Sequence, residues 1–303
     1  MIRERQLIQR IRKMARTGHP QVRAGIGDDA AVLAVRPGYE LLVTTDFSLE
    51  GMHFRRDWYP AGVIGHRCLL RGLSDIAAMG GEPIAAFLSL ALPESVKQRW
   101  VDEFFKGLLG LAKRYGVNLA GGDVAQSPKG VVADVVVVGQ APKGEALRRS
   151  GARVGDGVYV TGLLGGAAAE IQRLRGRGRP RHAGLAEPRI AAGQALRGVA
   201  SACIDVSDGL STDLSHISEE SGVGAVIEAE AVPVAKGATL DLALHGGEDY
   251  ELLFTSGKPV PEKVAGAKVT LIGEVTPGKR MELVDAGGKR RRLEPAGWEH
   301  FRE

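Results

Sequence analysis

Six short segments set an acidic residue beside glycine, serine or threonine where an apolar run begins or ends. They are Gly27-Asp28-Asp29, Thr44-Thr45-Asp46, Leu73-Ser74-Asp75, Gly121-Gly122-Asp123, Asp205-Val206-Ser207-Asp208-Gly209 and Gly246-Gly247-Glu248-Asp249. A chain that repeats this arrangement needs strands and helices for the apolar runs and glycine-permissive loops for the carboxylates. Leu41, Leu42 and Val43 read as a buried strand, which places Asp46 where that strand stops, its carboxylate reaching out of the sheet. A single aspartate in such a place is usually a turn residue. Several that converge repel one another unless a counter-charge intervenes. A hard cation such as Mg²⁺ supplies it, because it takes oxygen ligands and bridges carboxylates to phosphates. The pattern reads as a multi-metal, phosphate-handling site.

Between these segments helices and strands alternate. Residues 2–16 predict an amphipathic helix through Ile2, Leu7, Ile8, Ile11 and Met14. Its arginines imitate a transit peptide, but Glu4 interrupts it and serine is not enriched, so a packed terminal helix is expected. Residues 60–80 predict a helix stopped by Gly80 and Gly81. Asp75 falls inside it beside Ile76, Ala77 and Ala78, where a carboxylate is costly to bury without a cation to face. A strand over 84–92 and an amphipathic helix over 95–115 follow, the latter with Trp100, Phe104, Leu108, Leu111 and Ala112 on one side. Residues 118–120 lead into the Gly121-Gly122-Asp123 loop, and Val131–Val138 predicts a strand buried on both faces or at an interface. The second half opens with a strand over 157–161 and an Ala-rich helix after Gly162, Gly165 and Gly166. A helix near 188–198 comes next, then one over about 210–221 with Ser207 or Asp208 as its N-cap. Strands are expected at 223–227 and 252–255, with a final antiparallel pair at 269–272 and 281–284.

This is an α/β (α+β) chain, and its 303 residues make two domains the default. The Gly- and Arg-dense stretch 142–155 marks the boundary, giving domains 1–142 and 143–303. Two phosphate-loop look-alikes fail on context. Gly25-Ile26-Gly27-Asp28-Asp29-Ala30 spells a dinucleotide fingerprint, yet strand rather than helix follows, and two carboxylates repel phosphate unless a metal lies between. Gly273–Lys279 copies a Walker A loop but continues with Arg280 instead of Ser or Thr, so a hairpin is expected there. Cys68 and Cys203 stand in unrelated contexts, so neither a disulfide framework nor a thiolate zinc site is suggested, and a reducing, cytoplasmic setting fits. No run approaches the roughly 18 apolar residues of a membrane span. Net charge is +4, concentrated in Arg173–Arg181 and Lys289–Arg292. Neither tract carries interleaved aromatics for base stacking, so solvated loops are favoured over a nucleic-acid surface.

Taken in order, these segments resemble those of thiamine-monophosphate kinases, together with Gly51-Met52-His53-Phe54, Arg149-Ser150-Gly151, Glu251-Leu252 and Gly297-Trp298. The resemblance spans nearly the whole chain. It implies a two-domain fold shared with aminoimidazole ribonucleotide synthetase, selenophosphate synthetase and a hydrogenase maturation factor, with N-terminal sheets pairing in a homodimer. It implies ATP and thiamine monophosphate as substrates, thiamine diphosphate as product and several Mg²⁺ ions. By resemblance, Asp29, Thr44, Thr45, Asp46, Asp75, Asp123, Asp205 and Asp208 hold metals, and Gly122, Asp123, Arg149 and Ser207 contact the nucleotide. His53, Glu248 and Trp298 face the thiamine phosphate; no residue is assigned as a catalytic acid, base or nucleophile. The alternatives are another ATP-dependent member of the superfamily and a non-enzymatic nucleotide or nucleic-acid binder. Selenophosphate synthetase has a reactive Cys near its N-terminus, and this chain has none before Cys68. The hydrogenase factor ends in Cys, whereas this chain ends Phe301-Arg302-Glu303.

Overall fold

The computed structural model describes residues 4–15, 18–176 and 185–299, and the chain divides into two compact units. Among the described residues the first unit takes 4–76, 81–144 and 185–186, and the second 77–80, 145–176 and 187–299. Ile2, Arg16, residues 177–184 of the Arg/Gly-rich loop and Phe301–Glu303 lie outside the described residues.

The first unit runs α1 (Glu4–Met14), β1 (Val22–Ala24), β2 (Val32–Leu33), β3 (Tyr39–Leu49), α2 (Ala61–Ala78), β4 (Glu82–Leu92), α3 (Gln98–Arg114), β5 (Asn118–Gln126) and β6 (Val132–Pro142). Its main sheet has the order β3-β6-β4-β5, and β1 with β2 makes a separate ribbon. Here the expectation for Asp46 is corrected. β3 pairs with β6 from Tyr39 opposite Pro142 to Leu49 opposite Val132, so Asp46 lies inside the strand, opposite Val135. Every residue to Leu49 finds a partner on the long valine strand, and that pairing carries β3 past the polar residues.

Ala133, Val135 and Val137 of β6 are fully buried, as are Leu69, Leu73 and Ile76 of α2 and Phe104 and Leu108 of α3. Glycines set how closely these layers approach. A Cβ on Gly107 of α3 would lie 1.8 Å from the Gly62 carbonyl oxygen, so the two helices cross backbone against backbone. The Gly121-Gly122-Asp123 segment is likewise not a loop. β5 runs straight through it in parallel pairing with β4, absorbing a bulge beside Ala86 and Phe87.

The second unit contains β7 (Gly157–Thr161), α4 (Gly166–Arg175), α5 (Ile190–Leu196), β8 (Ala202–Asp205), α6 (Leu210–Ser221), β9 (Gly224–Glu228), α7 (Leu240–His245), β10 (Leu252–Ser256), β11 (Lys263–Val264), β12 (Ala267–Thr276), β13 (Met281–Val284) and β14 (Arg290–Arg292). The sheet order is β14-β13-β9-β12-β7-β10-β8, with β11 on β12. The expected terminal pair and its hairpin at 273–279 are therefore wrong. β9 lies between β12 and β13, antiparallel to the first and parallel to the second. The chain after β12 passes around the start of β9, where the Ala225 N–H donates to the Arg280 carbonyl. Only glycine fits at position 224, since a Cβ there would stand 2.4 Å from that carbonyl oxygen. Val158, Val160, Ile204, Leu210, Leu214, Ile217, Leu253 and Ile272 fill the core. Among the described residues no helix is long and apolar enough to cross a membrane.

Candidate functional site

In the first unit β3 and α2 bring two predicted residues together. The Thr44 hydroxyl donates to the Asp75 carboxylate across 31 residues of sequence. Strand alternation turns Thr45 to the opposite face, where its hydroxyl donates to Asp134 Oδ1 at 2.7 Å. Thr44, Asp46 and Asp75 therefore belong to the helix-covered side of the sheet, and Thr45 does not. Asp134, which sequence reasoning passed over, interrupts the valine run at a single polar position, and that interruption was its signal.

A cavity of about 550 Å³ in the same unit is lined by Gly25–Ala31, Leu88 and Gly121–Val124, so it joins the Asp28-Asp29 loop to the Gly122-Asp123 strand. Asp28, Asp29 and Asp123 are exposed, and Asp123 Oδ1 accepts from the Val124 amide at 2.8 Å. Gly122 has φ 137° and sits so close to β4 that a Cβ would be 1.9 Å from the Leu88 carbonyl oxygen. His53 folds back on the end of β3, its Nδ1 accepting from the Leu49 amide at 3.0 Å. That bond puts the proton of a neutral ring on Nε2.

In the second unit three predicted segments share one corner. The Glu248 amide donates to the Ser207 carbonyl at 2.8 Å, the Tyr250 amide to Val206 at 2.9 Å, and the Trp298 amide to Asp208 at 2.9 Å. Gly247 and Gly297 permit this, since a Cβ on either would lie 2.4 Å from Ser207 O or 2.1 Å from Asp208 O. Glu248 and Tyr250 hold positive φ values of 70° and 55°, strain of the kind that gathers at functional sites. Asp205 is buried at the end of β8, while Trp298 keeps 45% of its surface exposed. Arg149 is exposed in an irregular segment, its carbonyl accepting from Ser221 Oγ at 3.1 Å.

The N-cap expectation fails. Gly209 occupies the cap of α6, with no side-chain cap bond. Asp213, one turn into the helix, reaches back instead, and its Oδ2 accepts from the amides of Ser207, Asp208 and Gly209 at 3.1, 3.2 and 3.0 Å. Burial first, and then the charges of Asp205 and Asp208, push the Asp213 carboxyl well above the usual carboxylate range. Asp208, Asp213 and His216 bring one ligand atom each within 4.8 Å of the others, the sole such group of three among the described residues. Asp249 accepts from the Gly165 amide at 2.6 Å and the Ala167 amide at 3.2 Å, closing the start of α4. Burial raises its pKa to about 6. Cys68 and Cys203 are both buried, and burial lifts the Cys68 thiol to about 11.

Carboxylates, hydroxyls and backbone carbonyls dominate both groups, a donor set that suits a hard divalent cation and not a thiophilic one. Two oxygen-rich, glycine-lined groups on two mixed α/β units define the class. The AIR synthase related protein N-terminal domain family matches residues 27–141 and the corresponding C-terminal domain family residues 153–286. Within that class the relatives agree on one kind of enzyme. The chain is 40% identical over 288 residues to thiamine-monophosphate kinase of Salmonella typhimurium, covering 89% of this chain and 86% of that protein. The crystal structure of thiamine-monophosphate kinase from Stenotrophomonas maltophilia superposes with TM-score 0.81 at 34% identity, covering 91% and 95% of the two chains. AaThiL complexed with AMPPCP and TMP superposes with TM-score 0.78 at 30% identity, covering 99% of each. The chain belongs to the thiamine-monophosphate kinase family.

Proposed function

We propose that this chain is an ATP-dependent kinase that phosphorylates thiamine monophosphate to thiamine diphosphate by direct in-line transfer, with several Mg²⁺ ions. What supports the reading most is family membership, carried by 40% identity over 288 residues to the Salmonella typhimurium thiamine-monophosphate kinase. In this reading residues 1–142 form the ATP-, metal- and dimer-forming domain and 143–303 the second domain of a cytoplasmic homodimer. Asp29, Thr44, Thr45, Asp46, Asp75, Asp123, Asp205 and Asp208 are the metal-holding residues. Gly122, Asp123, Arg149 and Ser207 take the nucleotide, and His53, Glu248 and Trp298 take the acceptor.

Donor and acceptor are both anions, so the barrier lies in bringing phosphates together and aligning them. Bound Mg²⁺ supplies charge neutralisation and a template for that alignment. The chain's own contribution is positional. Thr44 orients Asp75 through its hydroxyl, and Gly122 lets a backbone without side-chain bulk face the cavity that Asp29 and Asp123 also line. Trp298 offers an exposed indole against which a cationic thiazolium can stack. The acceptor phosphate is already ionised at neutral pH, so no strong general base is needed. No covalent carrier is assigned: both thiols are buried, and His53 Nδ1 is engaged with the Leu49 amide.

Purified protein supplied with ATP, Mg²⁺ and thiamine monophosphate should form thiamine diphosphate, read by chromatography. No turnover with that acceptor while another phosphate-bearing metabolite is consumed sinks the reading. With γ-labelled ATP and no acceptor, the protein should stay unlabelled. Stoichiometric label, lost in His53→Asn and chased into product by added acceptor, would replace direct transfer with a phosphoenzyme route.

A further inference from the structure

We infer that Asp213 is a positioning residue for the Ser207-Asp208-Gly209 turn, holding its backbone so that the groups on it meet nucleotide and metal, without touching either ligand itself. The inference rests on the roles proposed above for Ser207 and Asp208.

The turn links β8 to α6 and is gripped from two sides. Its carbonyl side is held by neighbouring segments, Glu248 donating to Ser207 and Trp298 to Asp208. Its amide side converges on one atom, Asp213 Oδ2, which takes all three successive N–H groups. Three bonds to a single acceptor fix the intervening backbone dihedrals together, because no one amide can swing without leaving the oxygen. Asp213 is itself 1% exposed and sits on α6 beside Leu210 and Leu214, which are exposed by at most 1%. The anchor is therefore as rigid as the helix that carries it. No side chain caps that helix in the ordinary way, so Asp213 is the acceptor that closes the turn. The neighbouring Asp208 and His216 raise the rival possibility that Asp213 ligates a cation directly. The positioning role stands on the three amide bonds to Oδ2, and the asparagine variant separates it from ligation by the carboxylate.

The two roles separate chemically. Asparagine keeps an oxygen for the amides but forfeits the negative charge a ligand needs. Alanine removes the acceptor and leaves buried N–H groups unpaired, so the turn can leave its binding conformation and affinity is expected to fall on the order of tenfold. Asp213→Asn and Asp213→Ala should be compared with wild type by binding of a fluorescent ATP analogue, by Mn²⁺ binding followed by paramagnetic resonance, and by separate KM values for ATP and acceptor. Circular dichroism checks the fold. Asp213→Asn is expected within about threefold of wild type in nucleotide and Mn²⁺ affinity, and Asp213→Ala about tenfold weaker in both, with the acceptor KM changed less. Should Asp213→Ala not fold, Asp213→Ser, too short to reach the amides, takes its place. Wild-type binding by the truncated variant overturns the inference. So does an Asp213→Asn variant as impaired as the truncation, which would assign Asp213 to the cation. Asp208→Asn is the control on the underlying reading. If it too binds Mn²⁺ and nucleotide as wild type does, the roles given to the turn fail and the inference falls with them; if it weakens binding while Asp213→Ala does not, only the inference falls.

Discussion

At the scale of single residues, two positions carry the strongest expectations. Asp75 lies within α2 among apolar neighbours, half-buried and bonded to the Thr44 hydroxyl. Asparagine fits the same space and keeps an acceptor for Thr44, so the fold should survive. What is lost is the charge on which the metal-holding role proposed for Asp75 depends, and losses of preorganised electrostatic groups cost on the order of 100-fold or more in kcat. Asp75→Asn should show an unchanged circular dichroism spectrum and at least about a 100-fold fall in kcat. Near wild-type rates across a Mg²⁺ titration would make the carboxylate structural. Gly122 is a backbone matter instead. Its φ of 137° and the 1.9 Å approach of a built Cβ to Leu88 O mean that alanine must displace β5 from β4. Strain of this type costs roughly 1–3 kcal/mol before any clash is relieved. Gly122→Ala should therefore lower the unfolding midpoint in urea and weaken nucleotide binding together, whereas an unshifted midpoint would mean that the two strands can part at no cost.

At the scale of elements, much of the order of helices and strands was legible because their apolar periodicities are long and bounded by glycine. α2, α3, β4, β7 and α6 fall within a few residues of where spacing put them. The misses share a cause, which is that pairing partners decide where a strand stops and sequence does not display the partner. β3 continues past Asp46 because β6 accompanies it, and β5 crosses two glycines because β4 does. β13 abandons β12 because β9 slots between them. Of the candidate site, the carboxylate-bearing segments stand out in the sequence and their grouping in space does not. Thr44 and Thr45 take opposite faces once β3 is known to run through both, and nothing in the spacing says that Asp213 and Asp249 close the turns on which other residues sit. Asp249 makes this measurable. It binds two amides at the head of α4, and burial raises its pKa to about 6 from an ordinary 3.8. A raised folded-state pKa means that the native protein holds the proton more tightly than the unfolded chain does. The stability it contributes is full below about pH 4 and lost as pH rises through about 6. Two units correspond to roughly 3 kcal/mol as an upper bound. Asp249→Asn should flatten the change in urea midpoint between pH 4 and pH 6.5, and an unchanged slope would show that another group titrates there.

At the scale of the whole molecule, β3 poses a question that a single chain does not answer. It is an edge strand, and Leu41, Val43 and Phe47 on its alternate positions are 45%, 66% and 58% exposed. Three large apolar side chains on one sheet face, interrupted only by Thr45, are unusual for surface left in water, and edge strands are ordinarily blunted by charge. The same face carries Thr45 and its partner Asp134, so a residue proposed to hold metal lies among the apolar ones. Burial of this face against a second copy satisfies the apolar row and removes water from around Thr45 in one step. The protein is accordingly expected to be a homodimer through this face, with twice the 32.1 kDa chain mass by light scattering at micromolar concentration. Val43→Lys combined with Phe47→Glu should yield a folded monomer, because each places a charge where the partner's apolar row would sit. The Mg²⁺ dependence of turnover should shift in that monomer, since Thr45 and Asp134 then face water. A wild-type protein that is monomeric at those concentrations defeats the expectation outright. A variant that remains dimeric moves the interface elsewhere, and a monomer whose metal dependence matches wild type separates dimerisation from the site.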